Sequence, residues 1–173
     1  AGFTSPNDGT YPANAGNDDP YPSSAGSYST TVSTSQYTEG TRSLSLLSSG
    51  ITTTSGWDVV HGPAVYSDTF SASAGDKIYF DWRAYAGDDA YDVFGYILNT
   101  STGATTTVLD ATGTSSSGST NWATASATIG TTGTYRFVFV SGTYDYSGGR
   151  AAGASMYIDN VRVYGSKVND AVV

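Results

Sequence analysis

Between residues 87 and 98 the chain reads Gly87-Asp88-Asp89-Ala90-Tyr91-Asp92-Val93-Phe94-Gly95-Tyr96-Ile97-Leu98, which puts three carboxylates just ahead of an apolar run. Like charges that close repel, so a folded chain needs something to hold them together. A hard cation can do this, because Ca²⁺ takes about six to eight oxygen ligands and neutralises the cluster. Carboxylates at i, i+1 and i+4 of a loop can converge on one ion, with main-chain carbonyls filling the shell. The alternative is a solvated acidic turn, where aspartate merely suits the turn. The spacing is not that of an EF-hand loop.

A second acidic set comes late. Asp145 lies in Gly142-Thr143-Tyr144-Asp145-Tyr146-Ser147-Gly148-Gly149-Arg150, and Asp159 in Met156-Tyr157-Ile158-Asp159-Asn160-Val161. Asp159 interrupts an apolar strand, where an ionised carboxylate is costly unless it is liganded or paired with Arg162, Arg83 or Arg136. Asp81, two residues before Arg83, faces the same choice. The candidate metal ligands are therefore Asp88, Asp89, Asp92, Asp145 and Asp159, with the pair Asp18 and Asp19 as a weaker set. Glycines at 148 and 149 let backbone approach a ligand closely, and Arg150 can fork onto a carboxylate or stack on a ring. This stretch reads either as a recognition loop or as an ordinary hairpin turn. The candidate ligand contacts are Asp145, Tyr146, Gly148, Gly149, Arg150 and Tyr91.

Catalytic readings fail on inventory. His61 is the only histidine and would have to carry any Ser-His-Asp triad, and no G-x-S-x-G elbow is present. The clustered aspartates sit too close in sequence for an acid/base pair spanning a sugar cleft. The absence of cysteine excludes thiolate metal sites, cysteine nucleophiles and disulfides. Trp57, Trp82 and Trp122 could stack on sugars, although the apolar alternation around Trp82 places it in a core. The expectation is a binding domain, not an enzyme.

A chain of 173 residues fits one domain, with room for a real core. Its net charge of −8 includes no basic stripe, which excludes nucleic acid and an anionic membrane surface as partners. No apolar run approaches the about 20 residues of a membrane span. Glu39 is the sole glutamate, while Thr, Tyr, Val and Phe are common, a composition that favours strands over helices.

The elements that must position these residues are short strands. Period-two patterns run over 42–48, 64–72, 77–85, 91–98, 105–110, 122–129, 134–141 and 155–164, separated by turn clusters such as Ser73-Ala74-Gly75-Asp76. Ile78, Phe80, Trp82 and Ala84 share one face, as do Tyr135, Phe137 and Phe139. Residues 111–121 read as a low-complexity loop. The expected fold is all-β, a calcium-stabilised two-sheet sandwich of jelly-roll type with little or no helix. Residues 1–35 read as a loop-rich segment packed on the domain, with at most one or two short strands. Residues 36–165 form the sandwich and 166–173 a linker or tail. The opening Ala1-Gly2-Phe3, without Met, reads as a piece of something larger.

Taken in order, Glu39-Gly40-Thr41-Arg42-Ser43-Leu44, Gly75-Asp76-Lys77-Ile78-Tyr79-Phe80-Asp81-Trp82, the acidic stretch 87–98, Gly133-Thr134-Tyr135-Arg136-Phe137, Tyr144-Asp145-Tyr146-Ser147-Gly148-Gly149 and Ile158-Asp159-Asn160-Val161 resemble the ligand-binding domain of bacterial RTX adhesins. The resemblance covers about residues 36–164. It implies a calcium-stabilised module of a secreted, surface-anchored adhesin, monomeric in isolation and flanked by adjacent domains of the same adhesin. Such a module captures the C-terminal carboxylate of a peptide on another cell. Asp88, Asp89 and Asp92 match the family's acidic loop, Asp145, Gly148 and Gly149 its glycine-rich loop, and Asp159 the aspartate of its last strand. Arg150 falls outside the matched positions. The other reading of the same residues is a calcium-dependent, lectin-like module binding a cell-surface glycan.

Overall fold

The computed structural model describes residues 3–4, 26–53, 59–114 and 118–165. They form twelve strands: β1 (Phe3–Thr4), β2 (Ser27–Ser33), β3 (Ser43–Thr52), β4 (Val59–Val60), β5 (Ala64–Ser67), β6 (Phe70–Ala72), β7 (Lys77–Tyr85), β8 (Ala90–Asn99), β9 (Thr105–Thr114), β10 (Ala123–Thr128), β11 (Gly133–Tyr144) and β12 (Ala151–Tyr164). Every pairing is antiparallel. One sheet, A, runs β1-β5-β11-β8-β9, with β4 and β6 also on β11; the other, B, runs β10-β7-β12-β3-β2. Among the described residues there is no helix, and none long and apolar enough to cross a membrane.

The segment expected to drape over the domain, with at most one or two short strands, supplies β1 and β2. β2 pairs with β3 from Ser27↔Ser49 to Ser33↔Ser43 and forms the edge of sheet B. The sandwich therefore begins before residue 36. Its pattern, Ser-Tyr-Ser-Thr-Thr-Val-Ser, is nearly all polar because an edge strand has little to bury. The expected loop 111–121 starts as strand: β9 runs on to Thr114, held against Ala90. The tail 166–173, together with Asp18, Asp19 and Trp57, lies outside the described residues.

Alternation decides what each sheet buries. On β7, Ile78, Phe80 and Ala84 are fully buried and Trp82 packs against the same core, whereas Tyr79, Asp81, Arg83 and Tyr85 face outward. On β11, Phe137 and Phe139 point inward, and the Phe80 ring meets them edge-on at 6.5 and 4.9 Å. Gly95 makes this possible: a Cβ there would lie 2.5 Å from the Phe80 ring, so any side chain would push the sheets apart.

The two outer faces differ. Outside sheet A, Phe94, Tyr96, Val138, Val140 and Ala64 form a second buried apolar cluster, with the His61 ring 5.5 Å from Phe94. Outside sheet B the residues are polar or aromatic and mostly half-buried. Among the described residues, sheet B therefore carries the more accessible face. Phe80→Ala should cost about 3–5 kcal/mol by removing the ring that joins the sheets, read as a lower midpoint in chemical denaturation.

Candidate functional site

Two places hold the chemistry, and both adjoin the β7–β8 turn. The first is the outer face of sheet B. Tyr85 and Tyr157 stand half-exposed on neighbouring strands, their rings edge to face at 5.7 Å. The Arg83 guanidinium lies over the Tyr85 ring at 4.8 Å, close enough for a cation–π contact. Arg83 Nη1 donates to Gln36 Oε1 at 2.8 Å, and its buried Nε has no hydrogen-bond partner. Leu47 and Tyr37, 38% and 44% exposed, border the patch on β3 and the β2–β3 loop, residues 34–42.

That loop crosses the middle of the face and is anchored on two aspartates that stand directly opposite each other, Asp81 on β7 and Asp159 on β12. Thr38 Oγ1 donates to Asp81 Oδ2 at 2.8 Å, while the Thr38 and Glu39 amides donate to Asp159 Oδ2 at 2.6 and 2.9 Å. Thr124 and Asn160 also donate to Asp81, and Arg162 approaches it at 4.0 Å. Burial works against the Asp81 charge, but these hydroxyl and amide donors and the Arg162 charge outweigh it and hold its pKa below the usual 3.8. Asp159 is thus stabilised chiefly by amides, not by an arginine, and it sits mid-sheet, on a different part of the fold from the other expected metal ligands.

The second place is the end of the sandwich, where the β7–β8 turn meets the β11–β12 loop. Asp145, fully buried, accepts from the Gly148 and Arg150 amides, both at 2.8 Å. Asp89, 5% exposed, accepts from the Ser147 amide at 2.9 Å and from Ser147 Oγ at 3.1 Å; the same hydroxyl lies 3.5 Å from Asp145. Asp88 accepts from the Gly50 amide, and its own amide donates to the Gly153 carbonyl. Gly87 and Gly153 permit that approach, since a Cβ on Gly87 would strike the Gly153 carbonyl oxygen. Arg150 adopts φ 71° and donates through Nε to the Thr53 carbonyl. Tyr146 is 50% exposed beside Tyr144. Burial, then Tyr146, Asp89, Asp145 and Asp92, raise the Tyr144 pKa above its usual value of 10, which marks this end as electronegative.

The structure thus brings together Asp88, Asp89, Asp145, Tyr146, Gly148, Gly149 and Arg150, and separates them from the rest. Tyr91, expected at the ligand, is 7% exposed in the core; a Cβ on Gly113 would collide with its ring. Asp92 turns toward His61, 3.8 Å away. Among the described residues no group of three or more acidic or histidine side chains is placed to hold a metal ion. Of the five candidate ligands, strand alternation and the length of β12 carry Asp92 and Asp159 away from Asp88, Asp89 and Asp145. The patch around Tyr85 and Tyr157 was missed as a site, although alternation alone assigned Tyr85 to the face opposite the core.

No family model matches the chain, and no curated protein sequence matches it. Solved structures do. One comprises the CBM22-1 and GH10 modules of Clostridium thermocellum endo-1,4-β-D-xylanase 10B with xylohexaose, at 12% identity and TM-score 0.46, covering 84% of this chain and 26% of that one. A second is a carbohydrate-binding module of the β-sandwich superfamily, at 12% identity and TM-score 0.47, covering 94% and 56%. A third is the CBM22-1 xylan-binding domain of Paenibacillus barcinonensis Xyn10C, at 11% identity and TM-score 0.44, covering 95% and 87%. The chain therefore spans about a quarter and about half of the first two.

Two outcomes follow from this geometry. With its pKa lowered in the fold, ionised Asp81 stabilises the protein above pH 3.8, and this contribution is lost as the pH falls through the lowered value. Asp81→Asn should flatten the acid limb of stability between about pH 5 and 2, measured by denaturant midpoints. Asp145→Ala strands two amide donors and should cost on the order of 2 kcal/mol, read in the same assay.

Proposed function

We propose that this chain is a glycan-binding module whose site is the outer face of sheet B around Tyr85, Tyr157 and Arg83. One observation carries the reading. Two half-buried tyrosine rings stand edge to face, with an arginine over one of them, on a sheet face that no second layer covers among the described residues. Sugars present both kinds of surface at once: a C–H face that packs on an aromatic ring and hydroxyls that need planar donors and acceptors. Tyrosine and arginine supply both at low conformational cost, because the pair is already stacked and Gln36 fixes the guanidinium.

Binding to a panel of soluble polysaccharides by affinity electrophoresis tests this. Tyr85→Ala and Tyr157→Ala should each weaken retardation at least about tenfold, which is about 1.4 kcal/mol, with the fold intact. Undiminished binding by both variants would remove this face from the site.

A second reading is an adhesin-type module in which the loop end captures a peptide C-terminus with calcium. It is favoured by one feature: two nearly buried carboxylates, Asp89 and Asp145, share the single hydroxyl of Ser147. The oxygens of this pair suit a hard cation, and Gly148 and Gly149 would leave room for a ligand carboxylate. Melting in chelator and in millimolar Ca²⁺, with Mg²⁺ as control, tests it. A Ca²⁺-selective rise that Asp89→Ala abolishes supports a bound ion. No shift would leave these aspartates as organisers of their loops alone.

A further inference from the structure

The outer face of sheet B holds a second cluster that repeats the first. Tyr79 and Tyr164 meet edge to face at 5.6 Å, and the Arg162 guanidinium lies over the Tyr79 ring at 5.1 Å. Tyr79 and Tyr85 share one face of β7, six positions and so about 20 Å apart. Arginine–tyrosine pairs therefore stand at both ends of one strand, with the 34–42 loop and Asp81 between them. Among the described residues a third such pair, Arg136 over Tyr66, lies instead beside the buried apolar cluster of sheet A.

We infer that this face binds an acidic, uronate-bearing polysaccharide lying along β7, with carboxylates meeting Arg83 and Arg162 and sugar rings meeting the tyrosines. The inference rests on the glycan reading of the same face and names the ligand class. Its first argument is charge. The chain carries −8 and only seven lysines and arginines, yet Lys77, Arg83 and Arg162 all project from this face. Among the described residues Lys77 and Arg83 are in no ion pair; Asp81 offsets only Arg162, 4.0 Å away, and both Asp81 and Asp159 are held locally. They lie under the loop, their oxygens taken up by Thr38, Thr124, Asn160 and backbone amides. Among the described residues, Glu39, exposed on the loop, is a further acidic interruption there. The second argument is geometry. Each guanidinium lies over a tyrosine ring and spends Nη1 locally, on Gln36 for Arg83 and on the Asn160 carbonyl for Arg162, which leaves Nη2 as the charge-assisted donor that a carboxylate would take. The third is span: a single sugar fills one cluster, and only a chain reaches both.

Titration calorimetry of the intact protein tests this, with polygalacturonate and its carboxyl-reduced, neutral counterpart as probes. The reduced polymer should bind at least about tenfold more weakly, and polygalacturonate affinity should fall steeply between about 0.05 and 0.5 M NaCl. Arg162→Gln and Tyr164→Ala should each weaken polygalacturonate binding several-fold; Tyr164 is 57% exposed, so its replacement leaves the core intact. Equal binding of both polymers, with Tyr85→Ala abolishing both, would overturn the acidic ligand and leave the glycan reading standing. Unchanged affinity in both distal variants would overturn the extended site. Tighter binding of polyglutamate of matched charge would overturn a sugar ligand, and binding of no polymer would overturn both readings.

Discussion

The pairing of Asp81 with Asp159 is the constraint on which the accessible face depends. Two carboxylates directly opposite on neighbouring strands repel, and both sit where water is partly excluded. The fold answers with donors from three directions: Thr124 from β10, Asn160 from the irregularity in β12, and Thr38 and Glu39 from the β2–β3 loop. Asn160 takes φ 50° to reach, and the register of β12 against β7 shifts between Asp159 and Arg162. The result is a loop fastened across the sheet, a tyrosine–arginine cluster on either side of it, and a rim where Gln36 orients Arg83. If the two charges were removed, the loop would lose its anchor and the face its division.

At the sandwich end, carboxylates play a different part. Asp145 accepts from the Gly148 and Arg150 amides of its own loop, whereas Asp89 accepts from the Ser147 amide across the gap and Asp88 from the Gly50 amide. They cross-link the β7–β8 turn to the β11–β12 loop and to Gly50 of β3. Aspartate does here what a disulfide or a longer core does elsewhere, satisfying loop donors that would otherwise face only water. The electronegative character of this end follows from that use of carboxylates as scaffold.

The sequence made the sheets legible because their signal is local. Period-two alternation located β7 to the residue and placed Ile78, Phe80 and Ala84 inward, and it found the Tyr135–Phe139 face of β11. It failed where pattern carries no burial. β2 is an edge strand of serine and threonine, and alternation gives such a strand no apolar side to announce it. The site was legible only in part. Asp89 and Asp145, named in two separate acidic sets, converge on Ser147. Tyr91, expected at the start of its strand and at the ligand, lies within β8, which begins at Ala90 and turns the Tyr91 ring into the core. The Arg83–Tyr85–Tyr157 patch depends on the pairing of β7 with β12, a contact between segments about 70 residues apart in the chain that no local pattern encodes.

The central claim is about which surface binds. Backbone and tyrosine ring resonances, followed by NMR during titration with an oligogalacturonide, would map it directly. The account predicts shifts concentrated at Tyr79, Arg83, Tyr85 and Tyr157, with Asp89, Ser147 and Gly148 undisturbed. Shifts confined to the Ser147–Arg150 loop, with the sheet tyrosines silent, would contradict it.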